Sequence, residues 1–211
     1  MRSKTNILNP DLHNYLLTIL PPVSPELQAI YEDTQKHPYK EMQVTPEQGT
    51  LLKWLVSLIQ PKTIVEIGVF TGYSTLSMAE ALSTGSKILA CDKNQDWTDV
   101  GKVHWKKSPH AGKINLHIGD GVDYLTQLIA ISQGVDMIFI DADKPNYKAY
   151  YELSLELLKP GGILILDNIF LMGRVVTDGQ DKQTANIIRE LNTAIKTDPR
   201  VVPSIIPIGD G

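Results

Sequence analysis

The chain has 211 residues, 42% hydrophobic and 21% charged, an ordinary globular composition that can bury one substantial core, so a single domain over 1–211 is expected. A net charge of −4 without any Lys/Arg-rich run offers nothing to a phosphate backbone and argues against nucleic acid as a partner. No apolar run approaches the roughly 18 residues that span a bilayer, the opening residues lack a secretory signal, and the one cysteine, Cys91, cannot form an internal disulfide, which points to the cytoplasm.

Residues 1–45 read as an N-terminal helical extension of one or two helices, interrupted by Pro21, Pro22 and Pro25. Leu51, Leu52, Leu55, Val56 and Ile59 then recur at helical spacing over 46–59, and Pro61 stops them. The β-branched run 63–69 predicts a strand, followed by a glycine-bearing turn and a helix over 75–82. Strands follow at 87–91, 114–118 and 136–140, with a polar helical stretch from after Asp92 to about 107 and helices at 122–131 and 147–158 between and after them. Residues 160–162 read as a turn, 163–166 as a further strand, 183–196 as a late helix and 201–208 as a terminal strand. Strands alternating with helices pair in parallel through right-handed crossovers, so an open doubly wound sheet is expected.

Ligands of such sheets collect at the carboxyl ends of the strands, and here those ends are acidic: Glu66, Asp92, Asp120, Asp141, and Asp167 with Asn168. The first turn, Glu66-Ile67-Gly68-Val69-Phe70-Thr71-Gly72, has the form E-x-G-x-x-x-G. It is not the G-x-G-x-x-G cradle of a dinucleotide, and its carboxylate would repel a diphosphate. A cofactor with a sulfonium and an ammonium, S-adenosylmethionine, suits it better, with Gly68 allowing close backbone approach and Asp92 placed to accept the ribose hydroxyls. The plainer alternative is a tight strand-to-helix turn with a solvated glutamate. A second constellation, Asp141-Ala142-Asp143-Lys144 with Asp167-Asn168, presents hard oxygens from two neighbouring strand ends that could converge on one divalent cation. Magnesium is the first expectation, with calcium or manganese next, and the vicinal hydroxyls of a catechol would fill the remaining positions. Lys144 is then the candidate general base, against the plainer reading of a surface lysine paired with Asp143. The five histidines show no ligand spacing and are read as surface or capping residues, Cys91 as a buried strand residue, and Trp54, Trp97 and Trp105 as packing.

The segments VEIGVFTGYSTLSMAEAL, ILACD, IFIDADKPNY, LLKPGGILILDN and IPIGDG, with KHPYKEMQVTPEQG upstream, are long, ordered and correctly spaced. By them the chain resembles the cation-dependent O-methyltransferases: plant caffeoyl-coenzyme A O-methyltransferases, their bacterial relatives and, more distantly, catechol O-methyltransferase. The resemblance implies a Rossmann-like α/β methyltransferase sheet, mostly parallel, with an antiparallel strand near the C-terminus. It implies that Val44, Glu66, Gly68, Val69, Ser74, Asp92, Gly121 and Asp143 contact S-adenosylmethionine, that Asp141, Asp167 and Asn168 hold the metal, and that Lys144 and Asp141 serve catalysis on a small aromatic acceptor. It implies a homodimer as well. Three departures stand out: Met172 replaces a substrate-contacting asparagine of the plant members, the stretch after Asp92 (KNQDWTDVGKVHWKKSPHAGK) is less typical, and members continue past GDG with residues that complete the final strand, so a less stable sheet edge is expected. A nicotinamide-dependent oxidoreductase lacks its phosphate turn here, whereas a catalytically silent cofactor-binding protein would have lost a ligand or the base.

Overall fold

The structure, a computed structural model, describes residues 10–131, 134–177 and 182–211. The N-terminal extension forms helices α1 (Pro10–Ile19) and α2 (Pro25–Thr34); its first nine residues lie outside the described ones. α3 (Pro46–Ile59) has the bounds its apolar spacing predicts, because Thr45 opens it with a capping box and Gln60 closes it in the left-handed region at φ 53°. Then follow β1 (Thr63–Ile67), α4 (Tyr73–Ala81), β2 (Lys87–Asp92), α5 (Gln95–Trp105), β3 (Ile114–Ile118), α6 (Gly121–Ile131), β4 (Val135–Ile140), α7 (Tyr147–Leu157), β5 (Leu158–Leu166) and α8 (Lys182–Thr197).

The strands form one five-stranded sheet in the order β3-β2-β1-β4-β5 with every pairing parallel. Alternation along the strands divides the core in two. Ile64, Ile88, Met137 and Phe139 pack with α2, α3 and α4 on one face, while Val65, Ile67, Ile138 and Ile140 pack with α6, α7 and α8 on the other. After β3 the chain returns to the opposite side of β1, so the order reverses between β1 and β4, which is where an open α/β sheet leaves its ligand crevice.

Two expectations fail. The terminal strand over 201–208, and with it the antiparallel strand near the C-terminus, is not formed: the described residues contain no strand after β5. Pro203 and Pro207 each remove a donor from an eight-residue run, so a ladder there would lose its hydrogen bonds. An open furrow of about 1370 Å³, lined by Leu51, Leu55, Leu164, Val201 and Ile206 among others, lies along the outer edge of β5, and Val202 is 99% exposed. Residues 160–162, expected as a turn, are part of β5, where the pairing jumps from Val135↔Leu158 to Met137↔Ile163 and Gly161 takes φ 81°.

Candidate functional site

The turn after β1 is held by its own backbone. Gly68 has φ 90°, and a Cβ there would run into the Asp141 carbonyl, so the close approach of β1 to β4 itself demands glycine. Gly72, at φ 78°, packs against the Trp105 ring, whose N–H donates to the Gly72 carbonyl at 3.2 Å. Asp92 is tied into the same turn: its Oδ2 accepts the N–H groups of Val69 and Phe70, both at 2.8 Å, and its Oδ1 that of Asn94. The carboxylate expected to face a ribose thus also fixes the loop that would surround it.

Glu66 is fully buried and not solvated as the plainer reading had it. Ser74, in the first turn of α4, donates to Glu66 Oε1 at 2.5 Å, while Oε2 has no hydrogen-bond partner. Burial pushes its pKa up to about 8, the Ser74 hydrogen bond opposing and the Asp141 and Asp92 charges adding to the rise. A buried acid with a free oxygen at the crevice suits a cationic ligand group. Val44 joins Val69 and Tyr73 in the core cluster beside this turn. Gly121 lies against Ile67 and the Tyr150 ring, and Tyr150 donates from its hydroxyl to Asp143 Oδ1 at 2.8 Å, linking two further expected cofactor residues. Asp120 accepts the N–H groups of Val122 and Asp123 and caps α6.

At the ends of β4 and β5 the oxygens surround an ammonium. Lys144 Nζ donates to Asn168 Oδ1 at 2.6 Å, to the Tyr147 hydroxyl at 2.5 Å and to the Ala142 carbonyl at 3.1 Å, and lies 3.6 Å from Asp141 Oδ1. It is therefore a largely buried lysine directed at Asp141; Asp143 instead has Lys93 at 3.9 Å. Burial lowers the Lys144 pKa against the pull of Asp141 and Asp167, and raises that of Asp141 against Lys144. Asp167 is pushed up to about 7 by burial and then by the Asp141 charge, with the Asn168 N–H and Lys144 opposing. The buried Asp167, the half-buried Asp141 and an amide oxygen already neighbour one cation, and the set is all oxygen, as a hard divalent ion requires. Among the described residues no group of three or more His, Cys, Asp and Glu side chains is placed to hold a metal ion, and the Asn168 amide oxygen stands beside the two carboxylates.

Several residues of this site were not singled out from sequence. Gln48 uses its side-chain oxygen in the α3 capping box and donates from Nε2 to both Asp167 oxygens, at 3.1 and 3.0 Å. The Thr-Pro-Glu-Gln cap was legible, but its second task spans 119 positions of sequence. Tyr147 donates to the Asp167 carbonyl at 2.9 Å, and the Asp210 charge raises both Asp141 and Asp167. His104 and Trp54 correct the bland readings: His104 is buried against Asp33 at 2.9 Å, and Trp54 is exposed. Trp97 meets Phe70, His37 and Tyr39 edge to face near the turn. Cys91 is buried as expected, its pKa pushed up to about 12 by burial. Residues 178–181, between β5 and α8, lie outside the described residues.

The folded chain has the shape of a small-molecule methyltransferase: it superposes on the O-methyltransferase from Bacillus cereus, solved in complex with SAH, with a TM-score of 0.81 over 90% of this chain and 86% of that one at 28% identity. Residues 22–211 match the O-methyltransferase family. The caffeoyl-CoA O-methyltransferase of Eucalyptus gunnii is 38% identical, covering 95% of this chain and 84% of the relative. The mouse catechol O-methyltransferase domain-containing protein 1 is 33% identical, covering 100% and 82%. The chain belongs to this O-methyltransferase family, which includes the caffeoyl-CoA O-methyltransferases, and is an O-methyltransferase. No helix among the described residues is long and apolar enough to cross a membrane.

Proposed function

We propose that this enzyme transfers a methyl group from S-adenosylmethionine to one hydroxyl of a catechol or caffeoyl-type small molecule, with a divalent cation held by Asp141, Asp167 and Asn168. The observation that carries the reading is the meeting of Asp141 and Asn168 oxygens around the Lys144 ammonium, with the Asp167 carboxylate beside Asn168, at the ends of β4 and β5 and across from a buried Glu66 with a free oxygen. When bound, the donor supplies an electrophilic methyl group and the cation, magnesium before calcium or manganese, acidifies the acceptor hydroxyl.

The chain's own residues do the rest. Glu66 Oε2 receives the donor's ammonium, Asp92 its ribose hydroxyls, and the backbone of Gly68 and Val69 closes on it. Ser74 keeps Glu66 oriented, while Val44, Gly121 and Asp143 line the remainder. Gln48 and the Tyr147 hydroxyl fix the Asp167 carboxylate and carbonyl, so the oxygens need little reorganisation. Lys144, whose burial disfavours its charge, takes the acceptor proton. Met172, 75% exposed, stands at the rim where acceptors would be sorted. A homodimer is supported by the exposed Tyr15 and Ile19 of α1, and a cytoplasmic setting by one buried cysteine.

The test is transfer of a labelled methyl group to a panel of catechols and caffeoyl esters with magnesium, manganese or a chelator, using Asp141→Ala as control. Turnover lost with chelator and in the variant supports the reading. Turnover that survives both leaves an O-methyltransferase without the cation.

A further inference from the structure

Lys144 occupies the position expected of a different cation. Its three ammonium protons are matched by three acceptors, Asn168 Oδ1, the Tyr147 hydroxyl and the Ala142 carbonyl, and Asp141 Oδ1 completes the surroundings at 3.6 Å. Two of these, Asn168 Oδ1 and Asp141 Oδ1, belong to the oxygens assigned above to the divalent ion. An ammonium 2.6 Å from Asn168 Oδ1 and a cation in ligating contact with the same atom compete for it. They would lie within a few ångströms of each other in a buried setting where like charges repel strongly. The lysine side chain, with four rotatable bonds, can leave; the strand ends cannot.

We propose that Lys144 is an internal competitor for the divalent cation: its ammonium closes the Asp141–Asn168 oxygens in the metal-free enzyme, and metal entry expels it. This rests on the cation reading under Proposed function and adds its regulation. The ammonium offsets the Asp141 and Asp167 carboxylates while the site waits, and its expulsion frees the side chain to give its proton to solvent and turn toward the acceptor only once the site is loaded. Loading of the metal and arming of the base become one event, and the metal-free enzyme holds its base in three hydrogen bonds.

The experiment is Mn²⁺ binding to the full chain, followed by calorimetry and by the electron paramagnetic resonance of free Mn²⁺, for wild type, Lys144→Met and Asp141→Asn. Removal of the competitor is expected to tighten Mn²⁺ about tenfold or more in Lys144→Met, while Asp141→Asn weakens it. On wild type itself, saturating Mg²⁺ is expected to raise acetylation of Lys144 by acetic anhydride several-fold, read by mass spectrometry, which needs no variant to fold. Equal or weaker Mn²⁺ affinity in a folded Lys144→Met, or labelling unchanged by Mg²⁺, overturns the competition and leaves the cation site standing. Absence of Mn²⁺ binding in all three proteins overturns the cation site and this inference together.

Discussion

The two halves of the crevice are built on different principles. The turn after β1 is set by backbone: two glycines at positive φ, and an Asp92 carboxylate that takes two main-chain N–H groups. The ends of β4 and β5 are set by charge, with the Asp141 carboxylate and the Asn168 amide oxygen gathered around a lysine and the buried Asp167 beside them. The first is rigid before anything binds. The second is poised, and its geometry is a balance of burial against pairing. A site for a large invariant cofactor profits from the former, and one that must change its protonation and occupancy in each cycle from the latter.

Substitutions sharpen this contrast. The largest effect is expected for Asp141→Asn, which keeps shape and removes charge: turnover should fall about 10³-fold, several kcal/mol of charge stabilisation, while calorimetric affinity for S-adenosylhomocysteine stays within about threefold. Equal loss of both would mean that the halves are not separable. Gly68→Ala should do the opposite, costing about 2–4 kcal/mol of stability in chemical denaturation through left-handed strain and the clash with the Asp141 carbonyl.

Glu66 gives a pH signature to the cofactor half alone. An acid held up to about 8 in the folded chain keeps its proton after the unfolded chain, near its ordinary 4.5, has lost it. Its contribution is therefore fully present below about 4.5 and is lost as pH rises to about 8, on the order of 5 kcal/mol in all. Denaturation of the ligand-free protein across this range should show the decline in wild type and a flatter profile in Glu66→Gln. Because an ammonium on Glu66 needs the carboxylate, cofactor affinity should rise with pH to about 8 and then level off. The smallest effect is expected for Met172→Asn at the acceptor rim, where φ is 51° and the side chain is exposed. Stability should change by less than about 0.5 kcal/mol, since asparagine tolerates that backbone, and only the acceptor KM should shift.

The alternation of short apolar runs made the parallel sheet legible, and the acids at its strand ends marked the crevice, because burial and strand polarity follow from local pattern. What escaped was non-local or fine-grained. The pairing of Gln48 with Asp167, the direction of Lys144 and the proximity of Asp210 depend on chain segments far apart in sequence. The terminal strand failed for a local reason: the apolar content of 201–208 spoke for a ladder that Pro203 and Pro207 interrupt. Residues 160–162 show how a glycine signal for a turn can equally mark a bulge within a strand.

Cys91 supplies a clock already built into the protein. It is the one cysteine of the chain, 1% exposed, in β2 immediately before the Asp92 that anchors the β1 turn. Its thiol lies against the Gly119 and Asp120 carbonyls under α6, so a thiol reagent reaches it only when this layer lifts from the sheet, and the labelling rate of the unmodified enzyme counts those openings without a dye or an engineered site.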